Sequence, residues 1–286
     1  MLSYQDQFTM RQTMNAADFE FYHYLDKEPP TVDFHHHNFY EVFFFISGNV
    51  NYTVEGRSYQ LRPGDILLTT TRDIHRPEVS PGKPYERYVL WVNEGFFQQI
   101  QCGNDDLSAC FVDAAQKQYR LIRPDGDMYV KLQKLCRRIL SLQREDVFGS
   151  KTLLQTTVTD FLVFLNRAYF DTPSDIRQDV TENDAINQVV DYIENHLCEE
   201  LTLDLLSSNF HLSKYHLDRQ FKKYTGLTIY QFIIKKRLIT AKAMICAGQS
   251  VTDACTLCGF GDYSNFLKAF KREFNHHPKD FKPVQT

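Results

Sequence analysis

Three groups of residues in this 286-residue chain have the types and spacing to do chemistry. His35-His36-His37-Asn38-Phe39-Tyr40-Glu41 is a His-x-His-x-x-x-Glu run, and His75 adds another imidazole downstream. Imidazole rings and a carboxylate brought to one place can orient a polar ligand by donating and accepting hydrogen bonds. Lys214, His216, Arg219 and Lys222 recur at helical spacing, and so do Tyr263, Asn265, Lys268 and Lys271. Basic and amide groups on an outward helix face are suited to phosphates and base edges; a solvated helix face is the plain alternative for each. Cys255-Thr256-Leu257-Cys258 is a C-x-x-C. A redox pair would follow a strand in a thioredoxin-like unit, and zinc would need a second pair of cysteines. Neither is present, so these thiols are expected to pack in a core.

The imidazole and carboxylate groups lie in a stretch with the periodicity of strands. Residues 39–46 are aromatic and β-branched, Ser47-Gly48-Asn49 turns the chain, and Val50, Tyr52 and Val54 alternate with polar residues. Glu55-Gly56-Arg57 reads as a hairpin turn, and Pro63-Gly64-Asp65 turns again before apolar runs at 66–68 and 88–92. Short strands with turn signals between them predict an antiparallel sandwich or small barrel. After Pro124-Asp125-Gly126 the period becomes helical: Met128, Leu132, Leu135, Ile139 and Leu142, then Leu153, Leu154, Val158, Phe161, Leu162 and Leu165 beyond Gly149-Ser150. Residues 127–170 are thus expected to form an antiparallel helical pair, either a dimerisation surface or a cover for the barrel. Residues 171–184 are polar without an apolar period and read as a linker.

The basic groups lie on helices of a repeated arrangement. Residues 185–197 make an amphipathic helix; a short helix at 201–209 and the turn Phe210-His211-Leu212 lead to Ser213, an N-cap for a helix with Leu217 and Phe221 inward. About 49 residues later the pattern returns, with a short helix at 251–258, the turn Gly259-Phe260-Gly261, Asp262 as N-cap, and Phe266, Phe270 and Phe274 inward. A short helix, a tight turn and a capped basic helix describe a helix-turn-helix. The connecting helix at 228–246 would span roughly 28 Å at ~1.5 Å per residue, close to the ~34 Å between successive major grooves. Lys214, His216, Tyr263 and Asn265, early in the helices at 213–223 and 262–274, are the candidates for base contact. Arg219, Lys222, Lys268 and Lys271 are the candidates for phosphate contact.

Composition sets the outer limits. With 43% apolar and 24% charged residues the chain can build two ordinary cores. No apolar stretch approaches the ~18 residues of a membrane span, and the first residues lack a secretory pattern. Seven cysteines scattered over helical patterns are not a disulfide framework, so a cytoplasmic location is expected. The net charge of −4 conceals an asymmetry: residues 205–286 hold 13 Lys+Arg against 5 Asp+Glu, a net of +8, and the rest of the chain carries −12. That asymmetry favours a polyanion partner for the C-terminal part.

The segments SKYHLDRQFKKYTG, RLITAKAMI and GFGDYSNFLKAFKREF, followed by Pro278, resemble the AraC/XylS family of transcriptional regulators over the last ~100 residues. The family's Gly-Phe turn is met at Gly259-Phe260, and its Arg-Leu-x-x-Ala at Arg237, Leu238 and Ala241. Asn275 stands where the family has Gly, and Ala254-Cys255 where it has Ile-Ala. Asn tolerates the left-handed conformation of a helix end, so the fold is expected to hold. Residues 30–95 resemble the two cupin motifs, which implies metal ligands at His35, His37, Glu41 and His75, and also the sensory domain of many AraC-type regulators. Thr70 and Arg72 stand where the second motif usually has Pro and Gly. Three imidazoles and a carboxylate suit Mn, Fe, Ni or Zn. The same side chains, with Tyr52 and Trp91, equally serve as the lining of an organic-ligand pocket, with Phe34, Tyr40, Phe43 and Tyr88 as further candidates for its floor. Sugar sensing is a common use that the resemblance implies.

The expectation is therefore an α+β protein with an N-terminal antiparallel, cupin-like β-barrel and helical pair, and a C-terminal all-α domain with two helix-turn-helix units. Residues 1–126 would sense a ligand, 127–170 dimerise, 171–184 link, and 185–286 bind DNA. The expected function is a non-enzymatic, sequence-specific transcriptional regulator answering to a small molecule, which the resemblance implies to be a carbohydrate, with double-stranded DNA, RNA polymerase and a second copy as partners. No cofactor is required on this reading, a divalent metal remaining open. The competing reading is a metal-dependent cupin enzyme with a DNA-binding appendage.

Overall fold

The computed structural model describes residues 11–29, 31–171, 180–181 and 183–281. By contact density the chain divides into Met1–Val54 with Ser58–Thr181, and Glu55–Arg57 with Glu182–Thr286.

Among the described residues the first unit holds nine strands: β1 (Phe19–Asp26), β2 (Tyr40–Ser47), β3 (Val50–Val54), β4 (Arg57–Gln60), β5 (Ile66–Thr69), β6 (His75–Val79), β7 (Tyr85–Val92), β8 (Leu121–Ile122) and β9 (Val180–Thr181). They form a five-stranded sheet of order β1-β7-β2-β5-β8 and a four-stranded sheet of order β6-β3-β4-β9, antiparallel in the registers that set the site. Alternation along β2 and β7 divides the apolar residues between two cores. Phe43, Phe45, Val89 and Trp91 point between the sheets and meet Tyr52, Val54 and Tyr59. Val42, Phe44, Tyr88, Leu90 and Val92 point the other way, into a core closed by helices.

Those helices are α1 (Glu94–Ile100), α2 (Ala109–Gln116), α3 (Gly126–Leu142) and α4 (Ser150–Asp171). Asp125 caps α3 by accepting from the Met128 amide. Leu132, Cys136, Ile139 and Leu142 of α3 are buried, as are Val158, Phe161, Leu162 and Leu165 of α4, so one face of the pair covers the five-stranded sheet. Of the expected linker, 172–179 and 182 lie outside the described residues; Val180 and Thr181 pair with Tyr59 and Ser58.

The second unit is helical: α5 (Asp184–Asn195), α6 (Leu203–Asn209), α7 (Lys214–Thr225), α8 (Ile229–Cys246), α9 (Val251–Leu257) and α10 (Tyr263–Phe274), with a 3-10 turn at Pro278–Phe281. Thr228 opens α8 with a full capping box through Gln231. The first half of α8 packs on the first helix-turn-helix, with Phe232 5.2 Å from Phe221 between ring centres. Its second half supplies Leu238, Ala241 and Ile245 to a core with Phe266, Phe270 and Phe274. Cys255 and Cys258 are buried in that same core. Burial raises both thiols, Cys258 to about 12, so they pack as small apolar side chains. The described residues include no helix long and apolar enough to cross a membrane.

Candidate ligand cavity and candidate nucleic-acid interface

Between the two sheets of the first unit lies a cavity walled by Phe43, Tyr52, Tyr85, Val89 and Trp91 and carrying the polar groups of His35, Glu41 and Arg87. Register explains the central pair. Glu41 and Trp91 face each other across β2 and β7, and Trp91 Nε1 donates to Glu41 Oε2 at 2.7 Å. Tyr52 reaches from the opposite sheet and donates to Glu41 Oε1 at 3.2 Å. Burial raises the Glu41 carboxyl above its ordinary range, opposed by the hydrogen bonds from Trp91 and Tyr52. Burial likewise raises the Tyr52 phenol, helped by the nearby Glu41.

Behind Glu41 the imidazoles converge. His37 Nδ1 donates to the Phe39 carbonyl at 2.8 Å and His75 Nδ1 to the Asp73 carbonyl at 3.0 Å. A carbonyl can only accept, so each Nδ1 carries the proton and each Nε2 presents a lone pair. His37 Nε2 lies 3.7 Å from Glu41 Oε2. One ligand atom from each of His37, Glu41 and His75 fits within 4.8 Å of the others. Burial holds both imidazoles well below their ordinary pKa, and the other histidines nearby push the same way. The turn that carries His75 is fixed from below. Asp73 accepts from the Thr70 amide at 2.6 Å and from Arg120 at 2.8 Å, the latter a buried ion pair. A side-chain-closed turn thus stands where Pro and Gly are usual in the cupin motif.

His35 is placed differently from the other three expected ligands. Its backbone bridges that of His75 in both directions, its Nδ1 donates to the Asp33 carbonyl at 2.9 Å, and it reaches the cavity wall outside the His37–Glu41–His75 group. Three of the proposed floor aromatics do not reach the cavity. Tyr40 packs edge-on against Phe97 and Phe111 and Tyr88 against Phe21 and Phe44, because both occupy the helix-facing phase of their strands. Phe34 lies under the Arg76 guanidinium. Arg87, by contrast, was not among the expected site residues. Its guanidinium is buried, paired with Asp26 and stacked 3.9 Å from the Tyr85 ring centre. The period-two pattern of β7 places it on the same face as Trp91 and would have found it.

In the second unit the two candidate helices are built alike. Ser213 accepts from the His216 amide to open α7, and Asp262 accepts from the Asn265 amide to open α10. Gly226 closes α7 at φ 77° and Asn275 closes α10 at φ 57°, the left-handed cap expected of Asn275. Lys214, His216, Arg219, Lys222, Tyr263, Asn265, Lys268 and Lys271 are all exposed, with Lys214 paired to Asp204. Arg237 ties the assembly together, donating to the carbonyls of Leu197 at 2.9 Å, Gly259 at 2.8 Å and Glu199 at 2.6 Å. These three bonds lock the end of the first helix and the second turn onto α8.

Comparison with known proteins agrees with both halves. Residues 21–158 match the model of the AraC-like ligand binding domain, and residues 206–283 match a helix-turn-helix domain. The HTH-type transcriptional activator RhaS of Salmonella schwarzengrund is 29% identical over 251 residues, 87% of this chain and 86% of its own, and that of Salmonella typhimurium matches at the same level. Among solved structures, the DNA-binding domain of the global transcriptional factor AdpA, in complex with a target DNA, is 25% identical over 35% of this chain and 90% of its own, with a TM-score of 0.34. ToxT from Vibrio cholerae is 14% identical over 92% of this chain and 97% of its own, with a TM-score of 0.36. With an AraC-like ligand-binding domain at residues 21–158 and a helix-turn-helix domain at 206–283, the chain belongs to the AraC family of DNA-binding transcriptional regulators.

Proposed function

We propose that this protein is a transcription activator of the cytoplasm whose action on DNA is set by a carbohydrate held between the two sheets of its first unit. The observation that carries the reading is the cavity itself. It offers aromatic faces from Trp91, Tyr52 and Phe43 beside the acceptors and donors of Glu41, His35 and Arg87. A sugar presents apolar C–H faces and hydroxyls that each need a partner, which is what such a wall supplies. The names of the RhaS relatives support activation and a role without turnover.

On this reading His216, Lys214, Asn265 and Tyr263 touch base edges, and Arg219, Lys222, Lys268 and Lys271 touch phosphates. The α3–α4 pair, which leaves Val130 and Leu153 exposed, dimerises with a second copy, and the DNA-bound form contacts RNA polymerase. The sugar acts by binding two arrangements of the protein with different affinity. A thermal-shift screen of the full chain against monosaccharides tests the effector. A sugar at ~100 times its Kd adds ~2.7 kcal/mol of stability, and Tyr52→Ala should abolish that shift. A panel in which no sugar moves the midpoint or changes DNA occupancy overturns the carbohydrate reading.

A further inference from the structure

The two ends of the cavity differ in how their polar groups are engaged. Tyr85, Arg87, Val89 and Trp91 stand at every second position of β7 and share its cavity face. Tyr85 and Trp91 are therefore roughly 20 Å apart along the strand. At the Trp91 end, Trp91 Nε1 and the Tyr52 hydroxyl both donate to Glu41. At the opposite end Tyr85 is 2% exposed and lines the cavity, yet its hydroxyl engages no partner among the described residues. Its ring is held in place. The Arg87 guanidinium stacks 3.9 Å from the ring centre, Phe43 lies 6.3 Å away, and the Tyr85 carbonyl accepts from Arg87 at 3.3 Å. Burial raises the phenol above its ordinary range, so the group keeps its proton and can both donate and accept. A hydroxyl fixed inside a protein and facing open space is matched by a polar group that enters that space.

Charge decides what kind of group. Arg87 is buried in the wall beside Tyr85, and it is already paired with Asp26, which faces Tyr85 in the register of β1 and β7. A phosphate or carboxylate brought to this end would be buried against a pair of no net charge, with the Glu41 carboxylate in the same cavity. A sugar hydroxyl meets no such penalty. Resting on the carbohydrate reading of the cavity, we propose that the effector is an uncharged, unphosphorylated sugar and that the Tyr85 hydroxyl reads one of its hydroxyls beside the Arg87–Asp26 pair. Tyr85 thus acts as a specificity-determining residue: a sugar lacking that hydroxyl, or carrying an acid in its place, leaves a buried polar group unmatched.

The test is a thermal-shift and calorimetric titration of the full chain in chelator. The neutral probes are glucose, galactose, mannose, fucose, rhamnose, xylose and arabinose; the anionic ones are hexose phosphates, glucuronate and galacturonate. A neutral sugar is expected to raise the midpoint, and its charged counterparts are not. Tyr85→Phe removes only the hydroxyl, so it should leave the ligand-free midpoint unchanged or higher while weakening the sugar at least tenfold. A purely structural role for Tyr85 would not move the affinity in this way. Equal stabilisation by a phosphorylated or acidic sugar overturns the uncharged class and leaves the carbohydrate reading standing. An affinity that Tyr85→Phe leaves unchanged overturns the role of Tyr85. Binding of no sugar, neutral or charged, removes the carbohydrate reading and this assignment with it.

Discussion

Two single positions in the second unit show how much hangs on one backbone angle. Gly259 sits at φ 76°, and a Cβ there would lie 2.8 Å from the Leu197 carbonyl and 2.9 Å from the Arg237 guanidinium carbon. Gly259→Ala therefore meets both a left-handed backbone, costing ~1–2 kcal/mol, and a collision with the very group that binds the turn to α8. A loss of at least ~2 kcal/mol is expected in urea unfolding, with DNA affinity falling alongside it; an unchanged midpoint would refute that role for the turn. Asn275 is the milder case. Its left-handed cap at φ 57° is one that Asn reaches and Ala resists, so Asn275→Ala should cost about 1 kcal/mol while Asn275→Gly should not destabilise. Both positions were legible from the resemblance as a turn and a helix end. The three bonds of Arg237 were not, because its partners are backbone carbonyls about 22 to 40 residues away, and a carbonyl leaves no mark in the sequence.

Among the elements, the strands that alternated cleanly were the easiest to read. Residues 39–46 and 50–54 match β2 and β3 to within one residue at each end. β6 was missed because His75-Arg76-Pro77-Glu78-Val79 is polar and holds a proline. It lies at the edge of its sheet, where a missing amide hydrogen is tolerated. β1 and the short α1 and α2 were also missed, their amphipathic patterns being too brief or outside the stretch read as strands. The same alternation that was used for the fold, carried one step further, would have removed Tyr40 and Tyr88 from the cavity and added Arg87. The turn before β6 gives a test at this scale. Asp73 holds Arg120 and the Thr70 amide while its own carbonyl holds His75. Asp73→Ala leaves a buried guanidinium without its partner and should cost about 3–5 kcal/mol, read as a lowered midpoint in urea unfolding; an unchanged midpoint would refute that role for the ion pair. On α10, Lys268→Ala should weaken binding to all duplex sequences alike and reduce the slope of log K against log salt by about one. A loss confined to one base position would move Lys268 from phosphate to base contact.

For the whole molecule, the charge asymmetry and the two capped helices converge on one activity. The +8 of residues 205–286 supplies the salt-dependent, sequence-blind part of DNA affinity. On the proposed reading, His216, Tyr263 and Asn265, exposed early in α7 and α10, supply the sequence-dependent part. The eighteen-residue α8 between them spans roughly 27 Å at ~1.5 Å per residue, which suits two recognition helices in successive major grooves. The most direct measurement is a selection of random duplex DNA by the full chain, sequenced with and without a monosaccharide pool, and repeated with a His216→Ala/Asn265→Ala double variant. An enriched motif of two elements about 10 base pairs apart is expected, with its yield changed by the sugar pool and its base preferences lost in the variant. Enrichment of no motif, or of the same motif by the double variant, would contradict the assignment of α7 and α10 as the reading helices.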